Sequence, residues 1–167
     1  MVRNKNDYYP TPHSFIDAMI SHIPFSKDNP VWEPCAGDYR LVRKLRKNKF
    51  IVKATDIVNG EHQNYFNYKK PLAETVITNP PFKYIRQFID HSFYIGVQEM
   101  ILFCNERLFA CYKGFEQWSR YRPSHFINLS WREDYLGKGG SPDRSIAIAI
   151  WDKPHSNKTE YQIWSNK

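Results

Sequence analysis

The chain has 167 residues, 41% of them hydrophobic and 16% aromatic, which is enough for one packed domain. No apolar run approaches the ~20 residues that cross a bilayer, the polar N-terminus has no secretory core, and Cys35, Cys104 and Cys111 lack CxxC spacing, against a disulfide framework and against a metal site. The reading is a reduced, cytoplasmic protein with no membrane attachment, whose net charge of +7 and pI near 9.3 suit a polyanionic partner, nucleic acid first.

In chain order, residues 1–7 read as a polar arm. Tyr8-Tyr9-Pro10-Thr11-Pro12 is held extended by its prolines. Phe15, Ile16, Met19, Ile20 and Ile23 then recur at helical spacing up to Pro24. Val31 and Trp32 read as a short buried strand ending at Glu33, and Leu41, Val42 and Leu45 as the following helix. Between them lies Glu33-Pro34-Cys35-Ala36-Gly37-Asp38, whose small residues let a ligand approach the backbone. A strand, a tight glycine turn and a helix mark the place where α/β folds bind ligands. The turn has one glycine and two flanking acids, which disfavour a phosphate and suit a ligand with a cationic group and hydroxyls.

The helix carries Arg40, Arg43, Lys44, Arg46 and Lys47, with Lys49 beyond it; a solvated face and a phosphate-contacting face both fit. Phe50 to Ala54 is a second strand, followed by Thr55-Asp56-Ile57. Asp56 lies 19 residues after Gly37, close to the ~20 at which an acid accepts hydrogen bonds from ribose hydroxyls; an N-cap is the other reading. A loop runs from Asn59 to Lys70. Thr75-Val76-Ile77-Thr78-Asn79-Pro80-Pro81-Phe82 is a buried strand running into a double-proline corner. Tyr84, Ile85, Phe88, Ile89 and Phe93 predict a helix, and Met100 to Phe103 a strand. Glu106 to Tyr121 reads as loop and helix. Phe126–Trp131 and Ser145–Trp151 read as two further strands, joined by the glycine-rich loop 132–144, with a polar tail from Asp152.

The Asn79 corner is the chemical centre of the chain. Two fixed φ angles make it stiff and extended. It offers an amide side chain, outward carbonyls and the Phe82 ring, which together suit a planar group bearing an NH2, such as adenine. A plain Asn-Pro turn is the other reading.

Tyr9-Pro10-Thr11-Pro12, Glu33 to Asp38, Asp56 and Asn79-Pro80-Pro81-Phe82, in this order, resemble the adenine-N6 DNA methyltransferases, in particular small phage-encoded forms. The resemblance spans roughly residues 8 to 151. It implies a Rossmann-like α/β fold, with a mainly parallel seven-stranded sheet, helices on both faces and a C-terminal antiparallel hairpin made by the last two predicted strands. It implies S-adenosylmethionine as cofactor. Tyr9 and Thr11 would line its methionine end, and Glu33, Cys35, Ala36, Gly37 and Asp38 would form the main turn. Asp56 would hold the ribose and Ile57 would pack on the cofactor adenine, with Asn79 also beside the cofactor. Asn79, Pro80, Pro81 and Phe82 would hold the target adenine, flipped out of any duplex.

Two positions depart from the pattern. Tyr39 stands where the family more often has glycine, and is read as the first helical residue, pointing away. Asn64 stands where an aspartate usually meets the cofactor's adenine amine. No separate target-recognition domain is visible. Arg107, Lys113, Arg120, Arg122, Arg132, Lys138 and Arg144 remain to contact phosphates, which position but do not specify. The expected partner is therefore DNA, with RNA possible and a partner subunit possible. Methylation of adenine in RNA or of a protein glutamine amide, and a cofactor-binding but inactive subunit, are the alternatives; Phe82 favours adenine, because glutamine-modifying relatives generally have tyrosine there.

Overall fold

The computed structural model describes residues 10–22, 26–132, 145–152 and 157–166. The elements in order are α1 (His13–His22), β1 (Val31–Glu33), α2 (Arg40–Lys47), β2 (Val52–Ala54), β3 (Thr75–Thr78), α3 (Ile85–Tyr94), β4 (Glu99–Asn105), α4 (Tyr112–Arg120), β5 (His125–Leu129), β6 (Ile146–Trp151) and β7 (Glu160–Trp164). Among the described residues the strands form one seven-stranded sheet in the order β2-β1-β3-β4-β6-β5-β7. β6 runs antiparallel to both of its neighbours, and every other pairing is parallel.

The β6 sequence Ile-Ala-Ile-Ala-Ile-Trp shows why the sheet is buried on both faces. Ile146, Ile148 and Ile150 join the core on one face, and Ala147, Ala149 and Trp151 the core on the other. The first core takes Phe15, Ile16 and Met19 of α1 and Leu41, Val42 and Leu45 of α2. The second takes Ile85, Phe88 and Ile89 of α3. There Gln117 of α4, only 1% exposed, is held by the Arg86 carbonyl at 2.8 Å and by Asp90 at 3.0 Å. Helices thus cover both faces, as the resemblance implies.

The seventh strand differs from the expectation. Sequence reading finds six strands and leaves the segment after Asp152 as a polar tail, yet Glu160–Trp164 pairs in parallel with β5. Tyr161 and Ile163 remain exposed on it, so its composition carries little sign of burial. What holds it is the open edge of β5, the Asn128 amide donating to the Tyr161 hydroxyl at 2.8 Å, and Trp164 stacked on His22 of α1. The loop before β3 contains short 3-10 turns, and another 3-10 turn over Phe82–Tyr84 precedes α3, one residue later than the predicted helix start. Among the described residues, no helix is long and apolar enough to cross a membrane.

Candidate active site

The C-terminal ends of β1, β2 and β3 lie side by side, and the turns that follow them carry the predicted cofactor and catalytic residues. In the turn after β1, Gly37 takes a positive φ of 49°, a conformation glycine adopts without strain. Its N–H donates to Asp56 Oδ2 at 2.7 Å, while Asp56 Oδ1 accepts from the Val58 N–H at 3.0 Å. Asp56 is therefore a cap, and it also ties the β1 turn to the β2 turn. Each carboxylate oxygen can accept more than one hydrogen bond, so this role is compatible with ribose binding.

Five N–H groups of the β1 turn are consumed inside the protein. Cys35 donates to Glu33 Oε1 at 2.8 Å, Ala36 to the Thr55 carbonyl at 3.0 Å, Gly37 to Asp56, Tyr39 to the Ala36 carbonyl at 2.7 Å and Arg40 to Asp38 Oδ1 at 3.0 Å. Phosphate-binding turns present such N–H groups to the ligand. This turn spends these donors on carbonyls and carboxylates within the protein.

Tyr39 is not the first helical residue. It precedes α2 with φ 62° and ψ 16°, in the left-handed region. Its ring is half-buried against the first core. The position calls for the conformation that a glycine would supply freely, and core contact of the ring holds a tyrosine in it. Asp38 is exposed and bonds Arg40. Lys44 pairs with Asp17 of α1 at 2.6 Å, and Arg46 donates to the Val52 carbonyl at 3.0 Å. Lys44 and Arg46 thus tie α2 to α1 and β2.

Glu33 is 1% exposed. Its Oε1 accepts from the Thr78 hydroxyl at 2.6 Å as well as from Cys35. Burial pushes its carboxyl from 4.5 up to about 8, against these two hydrogen bonds, and the Asp56 charge adds to the rise. Burial, then the charges of Glu33 and Asp56, also push the Cys35 thiol well above its usual value, which leaves it a weak nucleophile. Thr78 lies one residue before Asn79 and gives no motif signal; it is one of two threonines that end the buried strand Thr75-Val76-Ile77-Thr78, and nothing in the sequence sets it apart from Thr75.

The Asn79 amide nitrogen donates to the Thr11 hydroxyl at 3.1 Å. Two predicted site residues from distant parts of the chain therefore meet. Pro80 is buried, and Pro81 is extended with φ −54° and ψ 122°. The Tyr84 N–H donates to the Pro81 carbonyl at 2.9 Å, one residue past the Pro80 carbonyl. Phe82 is half-buried against the first core.

Beside Asp56, Ile57 and Val58 are 54% and 72% exposed, an apolar surface at the rim of the turn. Val58 was not singled out by sequence. Asn64 caps a 3-10 turn: its oxygen accepts from the Phe66 N–H at 3.1 Å and its nitrogen donates to Glu61 at 2.7 Å. Tyr9, Lys138 and Arg144 lie outside the described residues.

The remaining basic residues do not gather at one place. Arg107 follows β4, Lys113 opens α4, and Arg132 follows β5, all at the catalytic end of the sheet. Arg120 pairs with Asp90 at 3.7 Å, and Arg122 donates to the Asn157 carbonyl just before β7. His125 pairs with Ile150 and Glu160, so this segment stands at the opposite end of the sheet from Asn79.

The chain superposes on a protein from Listeria monocytogenes assigned to the class I S-adenosylmethionine-dependent methyltransferases, with TM-score 0.68 and 12% identity, over 98% of this chain and 68% of that one. The fold is that of a class I methyltransferase. The methyltransferase subunit of a type I restriction-modification system from Streptococcus thermophilus aligns with TM-score 0.63 and 10% identity, over 93% of this chain and 47% of its own. The 23S rRNA methyltransferase ErmE aligns with TM-score 0.64 and 11% identity, over 89% of this chain and 71% of its own. This chain thus spans less than half the length of the type I subunit. No protein-family model matches the sequence, and no curated protein matches it.

Proposed function

We propose that this chain transfers a methyl group from S-adenosylmethionine to the N6 amine of adenine in DNA. The observation that carries the proposal is the seating of Asn79. Its amide nitrogen is bonded to Thr11 and the residue before it is bonded to Glu33, while Pro80 and Pro81 fix the backbone after it. The amide is thereby held by both flanking segments at the tip of β3.

The residues around Asp56 fit the cofactor. Asp56 has acceptor capacity for ribose hydroxyls, Ile57 and Val58 offer bare apolar surface to a purine ring, and Glu33 and Asp38 lie at the turn. The internally bonded N–H groups of the turn argue against a phosphorylated cofactor. When bound, S-adenosylmethionine supplies an electrophilic methyl on a cationic sulfur.

The chain's own work is positioning. The Asn79 side-chain oxygen and the Pro80 backbone carbonyl accept the two hydrogens of the target amine. This turns the nitrogen lone pair out of conjugation with the ring and toward the donor. The Phe82 ring supports the face of the base. The proton released on N-methylation passes to solvent, so no strong base is needed. Phenylalanine in place of tyrosine supports adenine over a glutamine amide, and the restriction-modification subunit among the similar folds supports DNA. That similar fold is itself one subunit of a larger system, which supports target recognition by a partner subunit as part of the proposal.

The test is transfer of labelled methyl from S-adenosylmethionine to unmethylated DNA, with RNA and protein extract in parallel, followed by nucleoside analysis. N6-methyladenine in DNA alone is the expected result. Label in RNA or protein replaces the substrate, and cofactor binding without label anywhere overturns the enzyme.

A further inference from the structure

A cavity of about 350 Å³ opens beside the Asn79 corner, lined by Phe82, Lys83, Arg86, Gln87, Asn105 and Arg107 among others. Asn105 ends β4 and Phe82 to Gln87 follow β3, so the cavity lies over the β3–β4 side of the sheet. The Gly37–Asp56 turn lies over the β1–β2 side. Asn79, at the tip of β3, stands between the two. A donor held at Asp56 therefore leaves the cavity to the part of the substrate that flanks the methylated amine.

The lining is cationic. Lys83, Arg86 and Arg107 line it, and among the described residues no aspartate or glutamate does. Arg86 is a built-in charge: its guanidinium donates to the Leu108 carbonyl and to Gln117, and lies 3.3 Å from the Cys111 sulfur. Gln117 is itself buried and bonded, so Arg86 is fixed. Lys83 lies over the Tyr84 ring at 4.5 Å. The Arg107 side chain is 83% exposed, with Glu106 at 3.8 Å as a weak partner. One rigid cation and two rim cations beside an aromatic ring match a phosphate attached to a stacked base.

We propose that this cavity binds the phosphodiester group next to the target nucleotide, with Lys83 and Arg107 as its clamp, so that the substrate is a strand rather than a free nucleoside or a protein amide. The inference rests on the methyl-transfer reading of Asn79, yet its test reads binding alone.

The experiment is fluorescence anisotropy of a short labelled single-stranded oligodeoxynucleotide containing adenine, with S-adenosylhomocysteine present, for the wild type and for Lys83→Ala/Arg107→Ala. The wild type should bind with a steep salt dependence. The double variant should bind at least tenfold more weakly at low salt, with a log–log salt slope shallower by about 0.7, the contribution of the one phosphate the clamp neutralises on a single strand. An unchanged affinity and slope in the variant, or no binding by the wild type, overturns the cavity assignment. An RNA oligonucleotide of the same sequence tells which strand supplies the phosphate. A wild type that binds strands with the expected slope but methylates nothing keeps the cavity and removes the methyl-transfer reading.

Discussion

Thr78 donates its hydroxyl hydrogen to Glu33 Oε1 at 2.6 Å, joining the residue before Asn79 to the end of β1. The bond is fully buried, so its loss leaves a polar atom without water to replace the partner. Thr78→Val should cost about 1–3 kcal/mol of stability and lower the methylation rate by freeing the strand end. Urea denaturation and kcat on one preparation check both effects. A rate that falls with stability unchanged would make Thr78 a purely catalytic contact.

The raised Glu33 carboxyl makes a signed pH prediction. Between 4.5 and about 8 the folded chain holds a proton that the unfolded chain has lost. Its contribution is fully present below pH 4.5 and is lost as pH rises through 8, by up to about 1.4 kcal/mol per pH unit within that window. Glu33→Gln keeps an acceptor for Thr78 and Cys35 without the titration. The wild type should lose stability relative to Glu33→Gln between pH 5 and 9, measured by denaturant midpoints; parallel pH profiles would contradict the assignment.

Asn79→Ala should abolish methyl transfer while the dissociation constant for S-adenosylhomocysteine changes little. The amide nitrogen donates to Thr11, and the loss of that neutral hydrogen bond costs about 1 kcal/mol. Single-turnover kinetics and calorimetric titration separate the two readouts. Equal losses of rate and binding would move Asn79 into cofactor binding.

Asp56→Asn is a test with two expected effects. Its amide NH2 cannot accept, so one of the N–H groups of Gly37 and Val58 loses its partner. Stability should fall by about 1–3 kcal/mol, and cofactor affinity by about tenfold for the lost charge-assisted bonds. A cofactor constant that stays put while the melting temperature falls would leave Asp56 a cap only.

Gly114 of α4 has no room for a side chain. A Cβ there would lie 2.7 Å from Phe109 Cα and 2.8 Å from the Leu108 carbonyl oxygen. These are backbone atoms of the loop that accepts the Arg86 guanidinium. Gly114→Ala should destabilise by about 1–3 kcal/mol through overpacking and weaken oligonucleotide binding more than cofactor binding. A variant as stable as the wild type would show that the loop yields freely.

The helices, and the six strands with strong alternation or apolar runs, are legible in the sequence because burial imposes its period on them. The turn at Gly37 and the corner at Pro80–Pro81 are legible for a different reason: glycine and proline mark unusual backbone angles directly. Tyr39 is where this reasoning misplaces a residue, since a left-handed tyrosine is visible only once the core that holds its ring is known. β7 escapes because Glu160 and Gln162 alternate with residues that stay exposed, and only the open edge of β5 gives the segment its partner.

Local chemistry is readable along the chain: a rigid amide-bearing corner, an acid-flanked glycine turn, and an acid after the second strand. Dihedral restriction and periodicity are properties of neighbouring residues, so they need no fold to be read. Which side chains meet is a property of the fold. Thr11 reaches Asn79 across 68 positions and Thr78 reaches Glu33 across 45. Arg122 lies at the far end of the sheet, while Lys83 and Arg86 line a cavity at the near end. These pairings follow from strand order and register, which are set by how the whole chain buries its two cores.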